Sequence, residues 1–170
     1  MCYYQIMDHF GVPVVTLEEF ARLRPTLGTI VAASGGFDPI HPGHISLFQE
    51  AKKLGDTLVV VVNGDAFLRV KKGRPFLNLE TRCQIVSAIR GVDFVVPFEI
   101  ENDPSICGAL EKLRPHIYAK SGQWTHINPP PELKVCEREG INIVYDVGAP
   151  KRWSSSEFLK NWEDYKKDII

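Results

Sequence analysis

Long apolar runs and an excess of charge are both missing from this chain of 170 residues. Its longest apolar stretch lies within residues 57–63, whereas a membrane-spanning helix needs about 20 apolar residues. The 20 Lys and Arg residues nearly balance the 21 Asp and Glu residues, so no overall field attracts nucleic acid or an anionic membrane. The first residues also lack the basic and apolar segments of a secretion signal, and we expect a cytoplasmic protein.

Cysteine is scarce and scattered, and no Cys-x-x-Cys pair indicates a zinc or redox site. The sequence contains neither an internal repeat nor a low-complexity tract. Hydrophobic residues make up 44% and charged residues 24%, as in ordinary globular proteins. A length of 170 residues then favours a single domain with one core.

Helical and extended patterns alternate along most of the chain, with Gly and Pro at the breaks. The patterns predict strands over residues 29–34, 57–63, 93–98, 117–120 and 141–145. They predict helices over residues 17–23, 43–54, 79–89, 104–113, 132–139 and 154–166. Such alternation is typical of an α/β fold with a Rossmann-like, doubly wound parallel sheet. We therefore predict a main domain over residues 29–170, preceded by an extension over residues 1–28 with one short helix that starts with a capping box at Thr16 and Glu19.

The connection between the first predicted strand and the following helix carries the most chemistry. It reads Gly35-Gly36-Phe37-Asp38-Pro39-Ile40-His41-Pro42-Gly43-His44. Glycines allow a ligand to approach the backbone closely, and a helix N-terminus attracts anions. Two imidazoles three residues apart could face one pocket and stabilise charge on phosphoryl oxygens. The loop therefore indicates a polyphosphate site, while ordinary loop histidines and a zinc site remain the alternatives.

The same loop resembles a known enzyme family, the cytidylyltransferase-like nucleotidyltransferases with a His-x-Gly-His motif. The resemblance rests on residues 36–38, 41–44, 51–56 and 63–65 and extends over about residues 29–160. Within that family, the chain is most similar to glycerol-3-phosphate cytidylyltransferases and heptose 1-phosphate adenylyltransferases. The resemblance implies transfer of a nucleoside monophosphate from a triphosphate to a small phosphate or phosphonate acceptor, with release of pyrophosphate. It also implies Mg²⁺ on the triphosphate, no covalent enzyme intermediate and a homodimer. We expect no resident metal, because the residues near the two histidines offer no Cys or Glu partners in a familiar spacing.

The resemblance assigns roles to the residues of the motif and of the basic segment that follows the second strand. His41 and His44 would stabilise the transition state, and Lys71 would join them as a catalytic residue. The expected nucleotide-binding residues around them are Gly36, Phe37, Asp38, Gly43, Asp65 and Lys72. Asp38 could instead cap the loop. We expect residues 67–75 to form a cationic loop that holds two polyanions together.

Two positions point to different nucleotides. Arg90 stands where the cytidylyltransferases carry an Arg that contacts phosphates, and this favours CTP. Lys120 stands where the heptose-type enzymes carry Lys, which favours ATP. The segment that follows Lys120 adds Gly122 and Trp124 to the expected nucleotide-binding residues, while Gln123 replaces an acidic residue of the family. Arg82 is a further possible site residue, or an anchor of the structure close to the site.

The last predicted helix starts at a run of serines. Ser154, Ser155 and Ser156 match the hydroxyl residues of the family that bind the triphosphate, although a Ser there can also be a simple helix cap. Arg152 is a possible phosphate ligand, whereas Ala149 stands where the cytidylyltransferases carry Arg. From its position alone, the segment 125–131 is expected to cover the acceptor.

The sequence thus predicts a nucleotidyltransferase, with CTP favoured as the donor. The alternative is an adenylyltransferase that uses ATP on a sugar phosphate. A nucleotide-binding module without catalysis is a third interpretation, to which Gln123 and Ala149 lend support. A related tRNA-charging enzyme is excluded by size, because the chain has no room for an anticodon-binding domain.

Overall fold

The computed structural model describes residues 11–99, 105–122, 124–125 and 127–167. In this part of the chain, five parallel strands form one sheet in the order β3-β2-β1-β4-β5. The strands are β1 (Ile30–Gly35), β2 (Thr57–Asn63), β3 (Phe94–Phe98), β4 (Ile117–Ala119) and β5 (Asn142–Val144). The predicted doubly wound parallel sheet is confirmed.

Helices cover both faces of the sheet. They are α1 (Leu17–Leu23), α2 (Pro42–Lys52), α3 (Asp65–Lys72), α4 (Leu79–Ser87), α5 (Cys107–Leu113), α6 (Leu133–Glu139) and α7 (Ser155–Lys167). α2 and α4 pack on one face, while α1, α5 and α6 pack on the other.

The sequence pattern of the strands explains this arrangement. All seven residues of β2 are buried, as expected for a β-branched strand that is covered on both faces. In β1 the side chains alternate: Val31 and Ala33 join the core under α2 and α4, whereas Ile30 and Ala32 join the core under α1, α5 and α6. The two cores therefore share the central strands.

The order of the strands fixes the place where a ligand can bind. β1 pairs with β2 on one side and with β4 on the other. The chain first builds β2 and β3 outward and then returns past β1 to build β4 and β5. In such sheets a crevice opens at the carboxyl ends of the two strands where the direction reverses, here β1 and β4.

The described part of the predicted N-terminal extension packs against the sheet. Val14 forms a parallel bridge with Val95 of β3, and Val15 donates its backbone N–H to the Val95 carbonyl at 2.9 Å. α1 begins with the predicted capping box, since Thr16 Oγ1 accepts from the Glu19 N–H and Glu19 Oε2 accepts from the Thr16 N–H.

The predicted cationic loop over residues 67–75 is wrong for its first part, because α3 runs to Lys72. A residue distant in sequence caps the first turn of α3. The Glu99 carboxylate accepts the backbone N–H groups of Asp65 and Ala66 at 2.6 and 2.8 Å. The helix ends at Gly73, whose φ of 83° suits glycine. The other predicted helices and strands are found with ends shifted by a few residues, and residue 104 lies outside the described residues.

None of the helices in the described ranges combines the length and the apolar character that a transmembrane span needs.

Candidate active site

A cleft of about 700 Å³ opens at the carboxyl ends of β1 and β4. The first turns of α2 and α7, the inner side of α3 and the connection after β4 form its walls. It brings together most of the predicted site residues: Gly36, Phe37, His41, Gly43, His44, Lys71, Lys72, Lys120, Gly122, Trp124, Arg152, Ser154, Ser155 and Ser156.

The two histidines form a stacked pair at the start of α2. His41 is the N-cap residue of the helix, and its carbonyl accepts the backbone N–H of His44 at 2.9 Å. The ring centroids lie 3.6 Å apart with an angle of 15° between the planes. Within the described ranges, neither Nδ1 atom has a hydrogen-bond partner. The rings are therefore oriented by packing rather than by hydrogen bonds at Nδ1.

Close packing leaves little space for a side chain at residue 43. A Cβ atom at Gly43 would lie 3.2 Å from Cε1 and Nδ1 of His41 and 3.4 Å from the Trp153 ring. On the other side, the Phe37 ring contacts His44 edge-on at a centroid distance of 5.0 Å. Phe37 has a φ of 51°, a left-handed conformation that is uncommon for a bulky residue. Gly43 and Phe37 thus pack against His41 and His44, respectively.

The surroundings disfavour protonation of both imidazoles. Burial lowers the pKa of His44 to about 3, and repulsion from His41, Lys72 and Lys71 adds to the effect. Burial also lowers the pKa of His41, with a smaller contribution from Lys72. A neutral imidazole still offers one N–H donor.

Two lysines lie at the end of α3, next to the histidines. Lys71 is exposed, and its Nζ lies 5.4 Å from the centroid of the Phe67 ring. Lys72 is half-buried and donates from Nζ to the Asp38 carbonyl. Burial lowers the pKa of Lys72, while Asp38 opposes the shift. The predicted cationic group is thus present, but a helix holds it.

Asp38 does not line the cleft. Its buried carboxylate accepts the backbone N–H groups of Phe76 and Leu77, each at 2.8 Å. These bonds tie the loop after β1 to the segment before α4. The geometry supports the structural interpretation of Asp38 over a direct nucleotide contact.

Arg82 and Asp65 also lie behind the cleft wall. The Arg82 side chain is fully buried, and it donates to the carbonyls of Gly36, Asn63 and Leu77 and to the Asp65 carboxylate, at 2.6 to 3.0 Å. This one guanidinium therefore joins the ends of β1 and β2 to α3 and α4. Because the side chain is fully buried and bonds four groups from separate segments, Arg82 anchors the structure and Asp65 serves as its counter-ion.

The floor of the cleft beneath β4 is polar and largely buried. Lys120 Nζ donates to the Tyr118 hydroxyl at 3.0 Å, and that hydroxyl shares a hydrogen bond of 2.7 Å with Ser34. Lys120 Nζ also lies 3.8 Å from Glu132 Oε2 and 5.2 Å from the centroid of the Trp124 ring. Burial lowers the pKa of Lys120, and Glu132 counteracts this effect.

Two of the three serines at the start of α7 already form hydrogen bonds with protein groups. Ser154 Oγ accepts the Glu157 N–H at 3.4 Å in the manner of a helix cap, and Ser155 Oγ donates to the Pro39 carbonyl at 2.8 Å. The latter bond fastens α7 to the histidine loop. Ser156 is exposed at the cleft. Lys151 and Arg152 are exposed on the same wall.

A second cleft of about 470 Å³ adjoins the first, between the end of α3 and α7. The two clefts share Lys71, Lys72 and Ser156. The second one adds Arg74 and Lys160 as cations and Glu163 as an acid. A ligand in the main cleft could therefore meet a second anionic molecule at the two lysines.

Arg90 is not brought to either cleft. It is exposed on the connection that precedes β3, at the amino end of the sheet, whereas both clefts open at the carboxyl end. Among the described residues, no group of three or more His, Cys, Asp or Glu side chains could hold a metal ion. The predicted cover of residues 125–131 touches the main cleft at Pro131, and residues 123 and 126 lie outside the described residues.

Sequence reasoning missed several residues that line the main cleft. Glu132, Ser34 and Trp153 are the most informative of them. Ser34 ends a predicted strand, and strand ends are where the crevice forms, so its position was a usable signal. Nothing local marks Glu132, because the contact depends on the return of α6 to β4.

Comparisons with known proteins agree with the geometry. A family model described as "Cytidylyltransferase-like" matches residues 32–127, more than half of the chain. The chain is 41% identical over 112 residues to the Bifunctional protein HldE of Streptomyces coelicolor, which covers 65% of this chain and 24% of that protein. It is 42% identical over 98 residues to the protein of the same name from Nitrosococcus oceani, covering 56% and 20%. The chain thus spans a quarter or less of these curated relatives.

Two solved structures share the fold. The lipopolysaccharide core biosynthesis protein of Thermoplasma volcanium has a TM-score of 0.61 and 27% identity, with 72% of this chain and 98% of that chain covered. The pantoate-beta-alanine ligase of Francisella tularensis has a TM-score of 0.57 at 15% identity, with 85% and 69% covered, and is similar in fold alone. With a histidine pair at the reversal of a parallel sheet and a family model over most of that sheet, the chain belongs to the cytidylyltransferase-like family.

Proposed function

We propose that the protein is an adenylyltransferase that transfers AMP from Mg²⁺-bound ATP to the phosphate of a small sugar phosphate. The observation that carries the proposal is the stacked pair of His41 and His44 beside Lys71 and Lys72, in a cleft at the reversal point of the sheet. The setting suits a reaction in which negative charge grows on phosphoryl oxygens. Membership of the family supports the reaction type.

The reaction needs no covalent bond to the protein. A phosphate oxygen of the acceptor attacks the α-phosphorus, the bond from that phosphorus to the bridging oxygen breaks, and pyrophosphate leaves. Neutral His44 donates an N–H to the phosphoryl oxygens, and Lys71 and Lys72 offset the negative charge of those oxygens. The two lysines bring the anions together.

Three observations favour ATP over the CTP predicted from Arg90. Arg90 lies at the opposite end of the sheet from the cleft. Lys120, which resembles the heptose-type adenylyltransferases, is on the cleft floor. The matches to proteins named HldE and to a lipopolysaccharide core biosynthesis protein agree with that heptose-type resemblance and with a sugar phosphate as acceptor. CTP remains the second candidate donor, and a cytoplasmic location goes with either triphosphate.

We propose that the phosphate of the acceptor binds to the lysines at the junction of the two clefts. Lys71 and Lys72 border both spaces, so a phosphate bound there can reach a triphosphate in the main cleft. Arg74, Lys160 and Glu163 then offer donors and an acceptor to the rest of the acceptor molecule. On this basis we propose that the acceptor binds near α3 and α7 rather than beneath residues 125–131.

Pyrophosphate release tests the proposal. The purified chain is mixed with Mg²⁺, either ATP or CTP, and a panel of sugar 1-phosphates, glycerol 3-phosphate and phosphonates. We expect release with ATP and a sugar phosphate, and a loss of about 100-fold or more in kcat for His44→Ala, the cost of one donor to the transition state. Gln49→Ala, exposed on the same helix, is the matched control and keeps wild-type turnover.

The other outcomes identify the alternatives. Release with CTP alone would restore the cytidylyltransferase prediction. Tight nucleotide binding without release in any combination would favour the module without catalysis.

A further inference from the structure

The second cleft, between the end of α3 and α7, is lined mainly by cations. Its described walls carry Lys71, Lys72, Arg74 and Lys160, and Glu163 is the one acid among them. Lys71 and Lys72 also border the main cleft, whereas Arg74 and Lys160 do not. The second cleft therefore has two cations beyond the pair that it shares with the main cleft.

The wall that carries Arg74 is fixed by Asp38. The buried Asp38 carboxylate accepts the backbone N–H groups of Phe76 and Leu77, each at 2.8 Å. The Asp38 carbonyl accepts from Lys72 Nζ at the end of α3. Arg74 lies in the chain between these two anchored positions, so the fold fixes the place of its backbone.

The opposite wall is fixed to the next residue of the same loop. The Pro39 carbonyl accepts from Ser155 Oγ at 2.8 Å in the first turn of α7, the helix that carries Lys160 and Glu163. Both walls are thus tied to the backbone of residues 38 and 39. The second cleft is therefore a defined feature of the fold rather than a chance gap between surface side chains.

Arg74 and Lys160 have no protein partner for their charges within the described ranges. Both are exposed, and in this part of the chain neither forms an ion pair or a side-chain hydrogen bond. Glu163 follows Lys160 by three residues on α7, and in the same ranges the two side chains form no ion pair. Cations that share one cleft repel each other, and an anionic ligand between them removes that repulsion.

The balance of charge indicates which part of a ligand meets these cations. A phosphate monoester carries about two negative charges at neutral pH, which Lys71 and Lys72 already offset. The uncharged remainder of a simple sugar would leave Arg74 and Lys160 without a counter-charge. A second phosphate or a carboxylate would supply it, and a guanidinium binds either group through two parallel hydrogen bonds. Glu163 can accept a hydrogen bond from a sugar hydroxyl.

We infer that the acceptor carries a second anionic group, a phosphate or a carboxylate away from the reacting phosphate, and that Arg74 and Lys160 bind this group. The inference deepens the proposed function and rests on it for the assignment of the second cleft to the acceptor. It narrows the substrate class from sugar phosphates in general to sugar phosphates with two anionic groups. Arg74 and Lys160 then determine specificity and touch no reacting atom.

Binding measurements test the inference independently of the reaction. The chain is saturated with Mg²⁺ and α,β-methylene-ATP, which cannot release pyrophosphate. Calorimetry then gives dissociation constants for the 1-phosphates and 1,6-bisphosphates of glucose and mannose and for glucuronic acid 1-phosphate. We expect a doubly anionic acceptor to bind about tenfold or more tightly than the 1-phosphate of the same sugar, the gain from charge-assisted hydrogen bonds to one more anion. Comparison of the bisphosphates with the uronic acid identifies the preferred anion.

A double variant assigns the preference to the two residues. Arg74→Ala with Lys160→Ala should bind the two classes of acceptor with dissociation constants within about twofold of each other, because the cations that distinguish the classes are gone. The matched control, Arg69→Ala with Lys134→Ala, removes one arginine and one lysine that are exposed outside both clefts. It should keep the wild-type preference, and circular dichroism verifies the fold of both variants.

The opposing outcomes separate the inference from the proposed function. Equal binding of both classes by wild type, binding of neither class, or a preference that the double variant retains would overturn the inference. So would weaker binding of methylene-ATP by the double variant, since Arg74 and Lys160 would then hold the triphosphate. Pyrophosphate release from ATP without a preference would keep the proposed function and remove the second anionic group. A preference without release would uphold the binding of a second anion and remove the proposed reaction.

Discussion

The state of charge of His44 has a consequence for folding. Its pKa is about 3 in the folded chain because of burial and nearby cations, against about 6.5 when unfolded. Between these values the unfolded chain binds the additional proton, so stability falls as the pH drops below about 6.5. At pH 7.5 and above this contribution vanishes.

We expect His44→Gln to reduce the acid sensitivity of the fold. From pH 7.5 to pH 5, His44 should cost the wild type about 2 kcal/mol of unfolding free energy, and the variant lacks this loss. Urea unfolding at the two pH values measures the difference, with Gln49→Ala as a control that keeps the wild-type dependence. Identical pH dependence of His44→Gln and wild type would contradict the assigned burial of the imidazole.

For single residues, the sequence predicted which segments lie near the cleft better than it predicted which side chains face it. The structure brings the histidine pair, Lys71, Lys72 and Lys120 to one cleft, and their roles there stay predictions. Asp38, Asp65 and Arg82 belong to the same motifs but turn towards protein groups, because a loop that holds a ligand must first be fixed itself. Spacing along the chain does not distinguish a side chain that faces the ligand from one that faces backwards.

Among the elements, α3 shows why local patterns fall short. Its sequence carries three basic residues in the last turn, and a charge run of this kind also fits a solvated loop. The helix is fixed by Glu99 at its start, by Arg82 against Asp65, and by Gly73 at its end. Two of these three contacts come from other elements and are invisible to a local pattern.

Arg82 should be the position where these elements are most sensitive to substitution. Arg82→Lys keeps the charge but cannot reach three carbonyls and a carboxylate at once, and it leaves buried acceptors without a donor. We expect a loss of about 3 kcal/mol in unfolding free energy, measured by urea denaturation. Arg69→Lys, exposed on α3, serves as the control and should unfold like wild type. An unchanged midpoint for Arg82→Lys would refute the anchoring role.

For the whole molecule, a net charge of -1 conceals an uneven distribution of positive and negative side chains. Lys71, Lys72, Lys120, Lys151 and Arg152 all border the main cleft, with Glu132 as the one acid on its described walls. The composition predicted that any anion site must be local, and the fold produces it by gathering cations from α3, β4 and the segment before α7. Sheet order, which pairs β1 with β4, was needed to see that these segments meet.

Arg90 provides a test at the scale of the whole molecule. Arg90 lies at the amino end of the sheet, so Arg90→Ala should leave the KM for ATP within about twofold of wild type. Lys71→Ala removes a cation from the cleft that is proposed to hold the phosphates, and this variant should raise the KM for ATP by about tenfold. Steady-state pyrophosphate release measures both. A rise for Arg90→Ala would mean that a second copy of the chain, in the predicted homodimer, brings this residue to its neighbour's site. Sedimentation would then show a dimer.

The bridge between Val14 and Val95 also covers part of the exposed edge of the sheet. β3 stands at one side of the sheet, and its outer backbone groups would otherwise face solvent, ready to pair with any extended chain. Residues 13–15 occupy part of that row with main-chain bonds of their own. We therefore expect a version trimmed past residue 15 to aggregate more readily, while the two clefts, which residues 13–15 do not line, keep their walls.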